Sequence, residues 1–126
     1  MRILLDTHAL LWAMATPKRL PKRAATAIRD PANEVFVSAV STWEIAIKGS
    51  LGRIDADVAE IAAAFDEAGI VDLPVAVAHT LLLREMPPHH RDPFDRLLIA
   101  QALANGLTIA TRDPAFGAYG AHVIWR

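Results

Sequence analysis

The first hydrophobic run of the chain has no polar alternation. Ile3, Leu4 and Leu5 are consecutive, and such a run is typical of a strand that is covered on both faces, as in a parallel sheet. Asp6 follows directly, and the mainly apolar stretch 9–14 then predicts a helix. We therefore expect Asp6 at the carboxyl end of a central strand, where open α/β sheets place their ligand crevices.

Further apolar and β-branched runs alternate with helical patterns along the chain. They predict strands at 35–37, at 70–74, at 107–110 and, as an edge strand, at 122–124. This alternation indicates an α/β fold with a central, mostly parallel sheet of four to five strands and helices on both faces. There is no internal repeat or linker, so we expect one domain over residues 1–126.

The clearest helix covers residues 93–104. Asp92 is its predicted N-cap, Pro93 suits the first position, where no N–H is needed, and Asn105-Gly106 is a typical stop. A helix over 38–48 is predicted to stop at Gly49. Its apolar residues recur at helical spacing and predict a buried stripe made of Val40, Trp43, Ile47 and Leu51.

Two shorter helices are predicted between these. Asp55 could cap one that ends at Gly69. The other covers residues 75–84, and its candidates for burial are Val77, Leu81 and Leu82.

Composition restricts the classes of function. Of the 126 residues, 53% are apolar, which argues against disorder, and the formal charge of −1 argues weakly against a large phosphate-tracking surface. With no cysteine, disulfides, thiol nucleophiles and Cys-zinc sites are excluded. No stretch reaches the roughly 20 apolar residues of a membrane span, and no cleavable signal pattern is present, so we expect a cytoplasmic protein with no membrane association.

Four acids are placed where a parallel sheet could bring them together. Asp6 and Asp113 each follow a predicted strand, while Glu44 and Asp95 lie early in helices. Each also has an explanation in helix capping or turn formation. Asp92 is fully explained as a cap, whereas Asp95 shares a helix face with apolar residues and is assigned to the site.

Clustered carboxylates with no cysteine favour Mg²⁺ or Mn²⁺ as the bound cation. Two such ions could activate water and stabilise the leaving oxygen of a phosphodiester. Thr7 and Thr111 could orient water, although local hydrogen bonding explains either residue alone. His89-His90 suggests zinc only weakly, because no further ligand has the expected spacing and the neighbouring prolines indicate an exposed loop.

Four segments of this sequence resemble the PIN-domain ribonucleases, and within them the VapC-type toxins of bacterial toxin–antitoxin pairs. The segments are ILLDTH at 3–8, SAVSTWEIAIK at 38–48, RDPFDRLLIAQA at 91–102, which is the most specific, and TRD at 111–113. The resemblance implies a PIN-like three-layer fold and metal-binding acids at Asp6, Glu44 and Asp95, with Asp113 as a more variable fourth.

The resemblance also implies an activity and partners. Members of the family cleave RNA with Mg²⁺ or Mn²⁺, usually form homodimers, and assemble with a small antitoxin whose tail enters the active-site groove. In this chain the candidate RNA contacts are Lys48, Arg91 and Arg112.

Two other functions were weighed against a ribonuclease. A phosphorelay receiver domain would need paired acids after the first strand and a lysine near the last, and this chain has neither. A catalytically silent PIN-like module that acts through a protein partner stays open as the alternative.

Overall fold

The computed structural model describes all of residues 1–126 and contains one five-stranded sheet. The strands are β1 (Arg2–Leu5), β2 (Glu34–Ser38), β3 (Ile70–Leu73), β4 (Thr108–Ala110) and β5 (Val123–Ile124). Their spatial order is β3-β2-β1-β4-β5, and every neighbouring pair is parallel. The predicted parallel α/β fold is therefore confirmed, with β1 at the centre of the sheet.

Seven α-helices connect these strands. They are α1 (Thr7–Ala15), α2 (Lys22–Arg29), α3 (Ala39–Ser50), α4 (Val58–Ala63), α5 (Phe65–Ala68), α6 (Val77–Leu83) and α7 (Pro93–Asn105). Short 3₁₀ turns cover Pro17–Arg19 and Pro114–Tyr119. None of the helices has the length and apolar character of a membrane span.

The sheet separates two hydrophobic cores. Along β1, Ile3 and Leu5 belong to one core and Leu4 to the other, because successive side chains of a strand point to opposite faces. The first core includes residues of α1 and α2, and the second includes residues of α7. Helices therefore cover both faces of the sheet, which explains the unbroken apolar run at the start of the chain.

The buried face of α3 differs from the predicted stripe. Val40 is buried, but Trp43 and Leu51 are 54% and 64% exposed, and Ile47 is only partly buried. Ser41, Glu44 and Ile45 are buried instead. The stripe was wrong because it assumed that the buried face is wholly apolar, whereas α3 turns a carboxylate inward.

Gly49 does not stop α3, which continues to Ser50. It has no positive φ angle, so the predicted left-handed stop is wrong. A Cβ atom at this position would lie 3.3 Å from the carbonyl oxygen of Ala56. Glycine therefore allows the segment before α4 to approach α3 closely.

Two other predictions require correction. Asp57, not Asp55, caps α4, and its side chain accepts a hydrogen bond from the backbone N–H of Ala59. In α6, Val77 and Leu81 are exposed and Leu82 is only partly buried. The buried residue of α6 is His79, whose Nδ1 accepts the backbone N–H of Ala76.

Helix α7 begins and ends as predicted. Asp92 caps it by accepting hydrogen bonds from the backbone N–H groups of Phe94 and Asp95, at 2.8 and 3.3 Å. Gly106 ends it with φ of 65°, a left-handed conformation that favours glycine. Buried residues 98–102 fix the rotation of α7 against the sheet, and that rotation sets the direction of Asp95 in the first turn.

Candidate active site

The four predicted acids line one cavity at the carboxyl ends of the central strands. The cavity has a volume of about 360 Å³, and none of its lining residues is hydrophobic. Its walls are formed by Asp6, Thr7, His8, Glu44, Lys48, Asp92, Asp95, Arg112, Asp113 and Pro114. The structure thus brings residues from four distant parts of the chain to one polar depression, and it adds Asp92, which serves both as a helix cap and as a wall.

Asp6 lies between β1 and α1 and is nearly buried. Its Oδ1 accepts the backbone N–H of Ala9 at 2.8 Å, so it also caps α1. Burial raises the pKa of Asp6 above its usual value, and a hydrogen bond with the Thr111 side chain lowers it in part. The capping interpretation and the site interpretation therefore both apply to this residue.

Glu44 is buried on the inner face of α3, and both of its carboxylate oxygens have partners. The Thr7 hydroxyl donates to Oε1 at 2.6 Å, and Lys48 forms an ion pair with Oε2 one helical turn later. These partners offset the cost of burying a carboxylate. Lys48 supplies the positive charge beside Glu44 in this arrangement, and its side chain keeps 27% exposure.

Asp95 has several charged neighbours that affect its pKa. The pKa of Asp95 is raised to about 7, first by burial and second by the negative charge of Asp92. His90 lowers this pKa, whereas Asp6 and Glu44 raise it through their charges. The carboxylates are thus close enough to repel one another, which is the condition that a cation relieves.

Asp113 lies at the rim of the cavity and is 40% exposed. It caps the following 3₁₀ turn through the backbone N–H of Ala115, at 2.9 Å from Oδ1. Its own backbone N–H donates to Thr111 Oγ1 at 3.0 Å. Thr111 therefore links Asp113 to Asp6, as Thr7 links α1 to Glu44. The prediction that these threonines orient water stays a prediction.

His90 is the site residue that sequence reasoning missed. Its side chain is only 15% exposed, and its Nε2 lies 2.9 Å from Oδ2 of Asp113 and 3.2 Å from Oδ2 of Asp95. The expectation of an exposed loop holds for His89 but is wrong for His90. The usable signal was its position two residues before the N-cap of α7, which carries Asp95.

The basic candidates differ in their placement. Lys48 and Arg112 line the cavity, whereas Arg91 is exposed and outside it. The Arg112 guanidinium carbon lies 5.2 Å from the ring centre of Trp12, a cation–π distance. Beside the cavity, a depression of about 280 Å³ shares His8 and Lys48 with it and adds Arg53, which the sequence did not single out.

The donor set fits a hard divalent cation. Carboxylate oxygens are the ligands that Mg²⁺ and Mn²⁺ prefer, and this cavity concentrates four of the predicted acids with no sulfur ligand. Burial first and neighbouring carboxylates second raise the pKa values of Asp6 and Asp95, so the protein alone disfavours the charged form of both. A zinc site at His90 fits less well, because its Nδ1 already accepts the backbone N–H of Asp92 at 3.1 Å, which leaves the proton of the neutral ring on Nε2, the nitrogen beside Asp95 and Asp113.

Comparison with known proteins identifies relatives of the whole chain. The PIN-domain family profile matches residues 3–121. Ribonuclease VapC22 of Mycobacterium tuberculosis strain H37Rv is 32% identical over 117 residues, which covers 88% of this chain and 86% of that protein.

Two solved structures share the fold at low sequence identity. A crystal structure of VapBC2 from Rickettsia felis, bound to a DNA fragment from their promoter, contains a chain with a TM-score of 0.73 and 14% identity, with full coverage of both chains. A crystal structure of VapBC-5 from Mycobacterium tuberculosis, a member of the VapBC family of toxin–antitoxin systems, gives a TM-score of 0.62 and 20% identity, with 99% of this chain and 98% of that chain covered.

Proposed function

Because this chain belongs to the PIN-domain family, we propose that it is a metal-dependent endoribonuclease that acts as the toxin of a toxin–antitoxin pair. The observation that carries the proposal is the meeting of Asp6, Glu44, Asp95 and Asp113 at one polar cavity. The ribonuclease name of the 32% identical relative supports RNA as the substrate.

The four acids would hold Mg²⁺ or Mn²⁺. When bound, the cation supplies Lewis acidity, which lowers the pKa of water and offsets charge on a phosphodiester. Asp6 is buried and Asp95 is partly buried, and burial raises the pKa of each. A cation bound in the cavity would favour the ionised form of both carboxyl groups, so both would release their protons.

The remaining polar residues have separate tasks in this proposal. Thr7 and Lys48 hold the Glu44 carboxylate in one orientation, since each contacts a different oxygen. Lys48, Arg53 and Arg112 form a basic border along two sides of the acid cavity. An RNA backbone could lie against this border, with its scissile phosphate over the acids.

The proposed partners follow from the same family. Solved structures of VapBC proteins share this fold, which supports a small antitoxin as the cognate partner. A homodimer within the toxin–antitoxin hetero-oligomer is part of the same proposal. Cellular RNA as the substrate makes the cytoplasm the proposed place of action. Binding of an antitoxin and formation of a homodimer can each be tested separately from RNA cleavage.

The test of the proposed function is RNA cleavage by purified protein with Mn²⁺, with Mg²⁺ and with a chelator. We expect products only with the metals, and Asp95→Asn should lower kcat on the order of 100-fold, as expected when a group that stabilises transition-state charge is lost. Asp66→Asn is the matched control, because Asp66 is an exposed acid of α5 outside the cavity.

Two outcomes would count against the ribonuclease. Full activity of a folded Asp95→Asn variant would remove Asp95 from the site. The absence of metal-dependent products across mixed RNA substrates would favour the catalytically silent binding module.

A further inference from the structure

We propose that His90 is a positioning residue that fixes the Asp113 carboxylate through its Nε2–H and holds the Asp95 carboxylate in contact beside it, and that it is not itself a metal ligand. This inference rests on the proposed function, because it concerns the orientation of two acids of the same site. The inference is based on the contacts that both ring nitrogens of His90, and the ring itself, make with neighbouring residues.

The first step is the tautomer of the ring. The backbone N–H of Asp92 donates to Nδ1 of His90 at 3.1 Å, so Nδ1 acts as the acceptor and the neutral ring carries its proton on Nε2. In this tautomer, Nε2 has no lone pair to offer a cation. The tautomer is assigned from this hydrogen bond.

The second step is what the Nε2–H faces. Nε2 lies 2.9 Å from Oδ2 of Asp113, its hydrogen-bond partner, and 3.2 Å from Oδ2 of Asp95, a close polar contact without hydrogen-bond geometry. The Oδ1 of Asp113 is used by the backbone N–H of Ala115, whereas Oδ1 of Asp95 has no hydrogen bond from the protein. His90 therefore joins two acids that come from different elements and leaves Oδ1 of Asp95 for the cavity.

The third step is the rigidity of His90 itself. Its backbone N–H donates to the Tyr119 hydroxyl at 2.8 Å, and its ring meets the buried Phe116 ring edge-on with centroids 5.8 Å apart. Both aromatic residues belong to the 3₁₀ turn 114–119, which Asp113 caps. One short loop thus ties the start of α7 to the turn after β4.

Partners that orient a metal ligand from outside commonly change metal affinity by 10- to 100-fold when they are removed. His90→Ala should therefore weaken Mn²⁺ binding by about 10-fold, measured by calorimetric titration. His90→Gln places an amide N–H near the position of Nε2 and should recover most of that loss. His89→Ala is the matched control, since His89 is exposed, its ring packs against the Tyr119 ring, and it forms no hydrogen bond or ion pair with Asp95 or Asp113.

Kinetics distinguishes positioning from a general loss of structure. With RNA and saturating Mn²⁺, His90→Ala should lower kcat and leave KM little changed, and His90→Gln should restore kcat. Thermal unfolding without metal should show all three variants folded. A loss of kcat that tracks the unfolding midpoint, with no recovery in His90→Gln, would overturn the positioning role.

A spectroscopic measurement tests the ligand question directly. In ¹⁵N NMR spectra with and without Mg²⁺, the His90 ring should keep its proton on Nε2, with His90→Gln used to assign its signals. Loss of that proton when Mg²⁺ binds would make His90 a ligand and contradict the proposal.

The failures of the two proposals are distinguishable. If the wild-type protein neither binds Mn²⁺ nor cleaves RNA, the proposed function fails. If the wild-type protein does both and His90→Ala equals it in each, only the role of His90 fails.

Discussion

At the scale of single residues, the acids of the cavity differ in what balances their charge. Glu44 has Thr7 and Lys48 as partners, whereas Asp95 has three other acids close enough to raise its pKa. The carboxylates of the metal-free protein therefore differ in their surroundings, and several neighbouring acids disfavour the charged form of Asp95. This inequality leads to a pH dependence that can be measured without any substrate.

We predict that the metal-free protein loses stability as the pH rises. The pKa of Asp95 is raised to about 7 in the folded protein, whereas the unfolded chain has the ordinary value. Between these values the folded state holds a proton that the unfolded state has lost, so the free energy of unfolding falls with rising pH. The stabilisation is complete below the ordinary pKa and is lost as the pH passes through about 7. Its upper bound is about 4 kcal/mol, from about 1.4 kcal/mol for each pH unit.

Urea unfolding in a chelator over a pH series measures this slope. Asp95→Asn should reduce the slope, because the amide does not titrate, while the raised pKa of Asp6 leaves a residual slope of the same sign. Asp66→Asn should keep the wild-type slope, since Asp66 is exposed. A wild-type slope in Asp95→Asn would show that Asp95 is not the titrating group.

At the scale of elements, the site depends on where helices begin. Asp6, Asp92 and Asp113 each cap the element that follows them, so the hydrogen bonds that start a helix also hold the cavity walls. Asp95 lies in the first turn of α7, and its backbone N–H is one of the two that Asp92 accepts. The same arrangement of the backbone at the carboxyl edge of the sheet therefore caps the helices and forms the walls of the site.

A pair of cap substitutions separates local stability from site geometry. Asp92→Ala and Asp57→Ala each remove an aspartate cap and should each lower the free energy of unfolding by about 1 kcal/mol. Only Asp92→Ala should also weaken Mn²⁺ binding in a calorimetric titration, because α4 contributes no wall of the acid cavity.

Asp92→Asn is the further control, because asparagine can cap a helix without carrying the charge. We expect it to keep the stability of the wild-type protein and to bind Mn²⁺ more tightly than Asp92→Ala does. Equal Mn²⁺ affinities of Asp92→Ala and Asp57→Ala would contradict the link between the cap and the site.

At the scale of the whole molecule, the parallel sheet explains why residues so far apart in sequence meet. Asp6 and Asp113 follow the adjacent strands β1 and β4, and Glu44 lies on the helix that follows β2, the other neighbour of β1. These placements were predictable from the sequence, because strand ends with acids and an unbroken apolar run are local signals. The order of the strands then brings the acids to one edge.

Other features of the molecule were beyond sequence reasoning for identifiable physical reasons. The burial of Glu44 depends on Thr7 from another element, so the apolar pattern of α3 alone gave the wrong buried face. His90 is held by Tyr119 and Phe116, which lie more than 20 residues later, and the prolines beside it indicated only a loop. Contacts of this kind are set by tertiary packing and leave no spacing in the sequence.

The most direct test of the converging acids is anomalous diffraction from crystals of the protein soaked with Mn²⁺. We predict a manganese peak in the acid cavity, coordinated by carboxylate oxygens of Asp6 and Asp95, and its loss in Asp95→Asn crystals. A manganese peak elsewhere, or none in the cavity at a concentration that supports RNA cleavage, would contradict the account.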